Sequence, residues 1–173
     1  MLARMIGAAR LNVETYEEVE HDRSATPQAL LVVIAVAIAT GVGGVLSGGA
    51  GWVDGVLFGV IRGAISWTVW ALAALFVGTK LLSTAETEAD WGQLARGTGF
   101  AQTPGLLNVL VFIPVVGLVL FIVTWVWQIA AMVVAVRQML DYRSTLRAVL
   151  VILISAIPVL VANGLIFWAL GIY

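Results

Sequence analysis

The sequence predicts an all-α fold, a polytopic membrane helix bundle with five transmembrane helices and amphipathic cytoplasmic segments. Three observations carry that prediction. Hydrophobic residues fill 61% of the 173 positions and charged residues only 11%, with a mean hydropathy of +1.04, a composition far outside that of soluble globular domains. The apolar residues gather into runs that meet the roughly 20 residues a helix needs to cross a hydrocarbon core. Once five spans are drawn, eight of the nine basic residues fall on one side.

Taken in order, residues 1–26 form a cytoplasmic N-terminal segment and residues 27–173 the membrane domain. In the first segment Leu2, Met5, Ile6, Ala9, Val13, Tyr16 and Val19 recur at three- and four-residue steps, an apolar face suited to the inner leaflet or to a partner protein. Asn12 interrupts it by capping a second helix. Thr26 and Pro27 open the first span, 28–47, with an N-cap hydroxyl and a proline at the first helical position. The acidic stretch from Glu14 to Asp22 before that run, and the further spans behind it, predict a retained span and not a cleaved signal peptide. Asp54 can cap the second span, 56–82. The connector that follows carries Trp91, Leu94 and then Phe100 as a second surface-lying face.

Residues 99–136 are too long for one crossing, since 38 residues would make a helix of about 57 Å. Pro114 and Gly117 therefore predict a hairpin, a short span over 99–113 followed by a longer one over 118–136. The fifth span, 147–170, is expected to bend at Pro158, where a backbone hydrogen bond is lost. This arrangement collects Arg4, Arg10, Arg23, Lys80, Arg96, Arg137, Arg143 and Arg147 on one side. By the positive-inside rule that side is cytoplasmic, which puts the N-terminus inside and the C-terminus outside a cell membrane.

Reactive chemistry is sparse. Without cysteine there is no disulfide, thiol nucleophile or thiolate metal site. His21 is the single histidine and lies among acids in a surface segment, so neither a zinc site nor a Ser-His pair is predicted. Nine of the ten acids fall in cytoplasmic segments and the tenth, Asp54, has its capping role. No phosphate loop or nucleotide fingerprint occurs, and a net charge of −1 gives no reason to expect nucleic acid. The expectation is a protein that is not an enzyme and uses no cofactor or catalytic or structural metal.

What remains is polarity inside the spans. Arg62 lies about 10 Å below Gly55, Asn163 a similar distance below Gly171, and Asn108 about 9 Å below Pro114, by helical rise. Gln128 falls nearer the midplane. These residues are candidates for one intramembrane polar site that holds a lipid headgroup or small anion beside the Arg62 guanidinium. The bland role, with Arg62 snorkelling and the amides tying helices together, is the default reading beside it. Gly44, Gly48, Gly55, Gly59 and Gly63 predict a glycine zipper between the first two spans, with Gly41 on the same small face. Trp67, Trp70, Trp125 and Trp127 are expected to fill space around it.

Four stretches, ARLNVETYEEVEHDRSATPQALLVV, WTVWALAALFVGTKLL, LARGTGFAQTPGLLNVL and WQIAAMVVAVRQMLDYRSTLRAV, together resemble a bacterial member of the Yip domain family of five-span membrane proteins, over about residues 8–160. The resemblance implies five spans, a cytoplasmic N-terminus and no catalytic residues. Eukaryotic relatives interact with Rab GTPases, but their Asp-Leu-Tyr-Gly-Pro type motif is missing here, so that partnership does not carry over. The expected function is a non-enzymatic integral membrane scaffold that organises membrane or a partner membrane protein. Two alternatives stand beside it: a small transporter or lipid-handling protein using the outer polar site, and an accessory subunit of a larger complex. Expected partners are membrane lipids, with a partner membrane protein or further copies of the chain as other candidates.

Overall fold

The computed structural model describes residues 1–49 and 51–169, with Asp54 described by its backbone alone. The cap expected from the Asp54 side chain and the end of the last span at Gly171 lie outside the described residues. Seven α-helices follow one another: α1 (Leu2–Ala9), α2 (Val13–His21), α3 (Ala25–Leu46), α4 (Gly59–Phe76), α5 (Trp91–Phe100), α6 (Val116–Met139) and α7 (Thr145–Ala169). Short π-helical turns, Val53–Phe58 and Val77–Leu81, extend α4 at both ends, and a 3₁₀ helix, Thr103–Leu110, follows α5.

Among the described residues four helices are long and apolar enough to cross a membrane, not five: Ala25–Leu46, Gly55–Leu81, Val116–Met139 and Thr145–Ala169. The expected short helical span over 99–113 is instead the end of α5 joined to the 3₁₀ helix. Pro104 has no N–H to continue the ladder, and Gly97, Gly99 and Gly105 weaken an α-helix there. The segment nevertheless travels far. Gly99 packs on Ala29 of α3, Gly105 on Val36 and Asn108 on Gly43, a climb of about 21 Å along α3 by helical rise. Nine α-helical residues would rise only about 14 Å, whereas the 3₁₀ form, at about 2.0 Å per residue, comes closer to the distance. Such backbone is tolerated at membrane depth only when protein surrounds it. Accordingly, it packs against α3, α6 and α1, with Thr103, Pro104, Gly105 and Asn108 buried.

Contacts sort the connections into two ends. At the basal end Gln138 reaches Glu17, Arg143 pairs with Glu86, and the Tyr142 hydroxyl bonds the Gly78 and Leu82 carbonyls at 2.9 Å each. At the distal end α3 stops at Leu46, where Gly48 takes φ +77°, a left-handed C-terminal stop that suits glycine. The turn into α6 lies at the same end, where Gly117 is pressed against the Val111 backbone.

The N-terminal helices belong to the bundle. Asn12 caps α2 as expected, accepting from the Thr15 N–H at 2.8 Å. Met5, Tyr16 and Val19, however, are core residues, and only Leu2 and Ile6 of the expected lipid-facing stripe are strongly exposed. Trp127 Nε1 bonds the Ala9 carbonyl at 2.6 Å, which ties α1 to the middle of α6. Leu94 and Phe100 are likewise fully buried, so α5 is a core element and not a surface-lying one. Thr26 is not the cap of α3, which starts one residue earlier. Its hydroxyl accepts from Arg96.

The expected glycine zipper is only partly there. A Cβ on Gly41 would overlap the Gly55 carbonyl, and one on Gly63 would sit 3.1 Å from the Ala37 Cβ, so α3 and α4 touch at these two places. Gly44 and Gly48 face nothing within 4 Å, and a Cβ on Gly59 would meet only the Ala37 carbonyl oxygen at 3.9 Å. Those three do not pack the seam: Gly48 ends the helix, and Gly44 and Gly59 border open space.

Candidate functional site

Between α4, α6 and α7 lies a cavity of about 410 Å³, bordered by Arg62, Ser66, Trp70, Gln128 and Asn163, with Gln102 from the turn after α5. Arg62 stands on the second turn of α4, on the distal half of the bundle. Its guanidinium lies 5.5 Å from the ring centre of Phe167 on α7. Among the described residues Arg62 has no carboxylate partner and no hydrogen bond. Opposite it, Asn163 Nδ2 donates to the Ser66 hydroxyl and to the Val159 carbonyl, both at 2.9 Å.

Of the four candidate polar residues, the structure brings three to this cavity. Arg62, Asn163 and Gln128 line it, but Asn108 does not. Asn108 is buried in the 3₁₀ segment, where its Nδ2 donates to Thr40 at 3.1 Å and its Oδ1 accepts from Thr124 at 2.7 Å. Equal depth placed it on a different face. Gln128 has a structural duty too, donating to the Gln102 carbonyl at 3.1 Å, where the chain leaves α5 and its helical ladder ends. Gln128 therefore satisfies irregular backbone and Asn108 ties the 3₁₀ segment to α3 and α6 through threonine hydroxyls, the bland role anticipated for such groups.

The tryptophans divide. Trp67 Nε1 bonds the Ala95 carbonyl at 3.1 Å and its ring meets Trp91 at 6.2 Å between centroids, so Trp67 and Trp127 anchor backbone rather than fill a seam. Trp70 and Trp125 line the cavity with Ile129, Met132 and Ile152. The Trp70 Nε1 is buried and has no hydrogen-bond partner among the described residues. Ser66 and Gln102 were not singled out in sequence, and Trp70 was expected only to fill space. Ser66 was findable, one turn beyond Arg62 on the same face.

A second polar centre was also missed. Arg96, counted only as a topological charge, is 5% exposed. Its Nε donates to the Val19 carbonyl at 2.7 Å, Nη2 to the Glu20 carbonyl, and Nη1 to the Thr26 hydroxyl at 3.3 Å. Val19 and Glu20 are among the last carbonyls of α2, which have no partner within their own helix. Burial pushes the Arg96 guanidinium below its ordinary range and the Glu20 carboxyl above its own. Asp90 and Gln93 form a reciprocal cap that sets α5, and Gln93 Nε2 also donates to Glu20 at 3.1 Å. His21 is exposed, with Nδ1 2.9 Å from the Glu17 carbonyl, and no cluster of metal-ligating side chains occurs among the described residues.

A family model described as Yip1 domain matches residues 12–166 of the chain. No curated protein and no solved structure matches it.

Proposed function

The chain belongs to the Yip1 domain family, and on that premise we propose a non-enzymatic membrane protein that holds the headgroup of an anionic amphiphile beside Arg62 and organises membrane, or a partner membrane protein, around it. The observation that carries this reading is that one cavity of ligand size is bordered at one end by Arg62, which has no carboxylate partner among the described residues, and below it by the apolar walls of Trp125, Ile129, Met132 and Ile152. A guanidinium costs about 2.5–3.5 kcal/mol at the centre of a span on insertion scales, and less at the shallower depth of Arg62. The Phe167 contact returns only about 0.5–1 kcal/mol at an exposed site. An anionic headgroup beside Arg62 supplies the charged partner that Phe167 does not.

In this reading the basal end, with its eight basic residues, faces the cytoplasm of a cell membrane. The α5 and 3₁₀ segment acts as a third, irregular crossing inside the protein shell, so α7 runs outward. The test is the phospholipid that remains with the purified protein, measured by mass spectrometry. The native chain should retain anionic phospholipid, Arg62→Leu should lose it, and Arg62→Lys should keep part. Equal anionic lipid on the native chain and Arg62→Leu would remove the proposal.

A further inference from the structure

A second cavity, of about 270 Å³, lies on the other side of α4, between it and α3. Arg62, Gly63 and Gln102 border both cavities. Its remaining walls are Val33, Val36, Ala37 and Thr40 and the glycines Gly41, Gly44, Gly55 and Gly59. The two helices touch at Gly41 with Gly55 and at Ala37 with Gly63. Between those contacts they stand apart, and Gly44 and Gly59 hold nothing close.

Glycine at positions that make no helix contact has a cost in helix propensity, of order 1 kcal/mol each relative to alanine. What it provides here is room. Apart from Arg62, Thr40 and Gln102 the void is lined by valine, alanine and glycine, which offer water few of the two to four polar partners it needs, and walls without neighbours forfeit dispersion contacts. In a protein that sits in lipid the available filler is an acyl chain.

We infer that the amphiphile held at Arg62 carries two acyl chains and straddles α4, with one chain in each cavity, which makes it an anionic diacyl glycerophospholipid. This rests on the reading of Arg62 as a headgroup site and adds the class of ligand. The geometry favours it in two ways. The cavities flank the same cation, so one phosphate can serve both arms. The glycines of the smaller cavity lie at the Arg62 level and distal to it, but both arms also reach toward the basal end: one wall continues from Thr40 to Val33, about 10 Å of helix, and the other from Ser66 to Trp70 on α4, flanked by Met132 and Ile152. That is the direction in which the chains of a lipid with its headgroup toward the distal face must point.

Four probes separate the possibilities on delipidated protein followed by native mass spectrometry: dioleoyl-phosphatidylglycerol, dioleoyl-phosphatidylcholine, single-chain oleoyl-lysophosphatidylglycerol and the chain-free headgroup glycerophosphoglycerol. The native chain should bind the two-chain anionic lipid at least tenfold more tightly than the single-chain one, and the zwitterionic lipid and bare headgroup weakly. Gly59→Leu and Gly44→Leu, which fill the smaller cavity from opposite walls, should each bring two-chain binding down to the single-chain level. Single-chain affinity should stay within about twofold in both, which also reports that the variants are folded. Equal binding of one- and two-chain lipids by the native chain overturns the inference, whatever the variants do. If Arg62→Leu abolishes binding while both glycine variants keep the two-chain preference, the headgroup site stands and the second arm falls. If neither Arg62→Leu nor the glycine variants alter any affinity, both fall.

Discussion

Replacing Arg96 with methionine removes the guanidinium that ties the carbonyls at the end of α2 to α5 while keeping much of its apolar bulk. Two carbonyls, Val19 and Glu20, then lose their donor in a buried place, at about 1–3 kcal/mol each. The native guanidinium is itself desolvated, as its lowered pKa reports, so part of that loss is offset when the charge disappears. A net cost of about 3 kcal/mol corresponds to local opening raised about a hundredfold. The effect should be local, because the bonds lost hold α2 and not the long helices. Hydrogen exchange in detergent micelles reads it directly: amides of α2 should exchange about a hundred times faster in Arg96→Met, with α6 within threefold of native. Arg96→Lys should fall between, since an ammonium lacks the forked donors that reach both carbonyls and Thr26. Unchanged exchange in α2 would refute the reasoning, and equal acceleration in α2 and α6 would show that Arg96 holds the whole bundle together.

The other predictions concern the seam, the topology and pH. Gly41→Ala should destabilise by about 1–3 kcal/mol because its Cβ meets the Gly55 carbonyl, whereas Gly44→Ala should be neutral or stabilising because nothing lies near; thermal melts in detergent should show a loss for Gly41→Ala alone, and equal losses would contradict these contacts. The chain has no cysteine, so single cysteines are clean reporters: at Ser24, Ser83 and Ser144 they should react with an impermeant maleimide from one side of the membrane and at Ser47 from the other, and same-side labelling would dismantle the topology. Hydrogen bonds from Ser24 and then Arg4 hold the Asp22 carboxyl down to about 2. A depressed folded-state value gives stability that is present above the ordinary carboxylate range and lost as pH falls through it toward 2. Native protein should therefore lose more stability than Asp22→Asn between pH 4 and pH 2, and parallel curves would show that the interaction adds nothing.

Much of this architecture was written in local patterns. The four long apolar runs gave four helices within about three residues, because length and composition alone specify them, and Asn12 could be read as a cap because its side chain acts on residues three positions away. The third apolar segment failed for the opposite reason. Its 3₁₀ form is stable only because α3, α6 and α1 enclose it, and that enclosure is a tertiary fact. Depth along a helix correctly put Arg62 and Asn163 on one cavity, yet it gave no azimuth, so Asn108 came out on another face. Arg96 was hidden by its company. A basic residue in a polar connector looks like a topological charge, and only the approach of α2, more than 70 positions away in the chain, shows it to be a buried clamp.

The central claim is that the Arg62 cavity holds a membrane lipid, and the most direct measurement is photo-crosslinking in vesicles with a phosphatidylglycerol that carries a diazirine midway along one chain, followed by peptide mapping. Adducts are expected on the cavity-wall residues themselves, Ser66, Trp70, Gln128, Ile129, Met132, Ile152 and Val159, lost in Arg62→Leu and competed by unlabelled phosphatidylglycerol but not by phosphatidylcholine. Adducts confined to the outward shell of α6 and α7, such as Leu118, Phe121 and Leu160, and indifferent to Arg62, would contradict it.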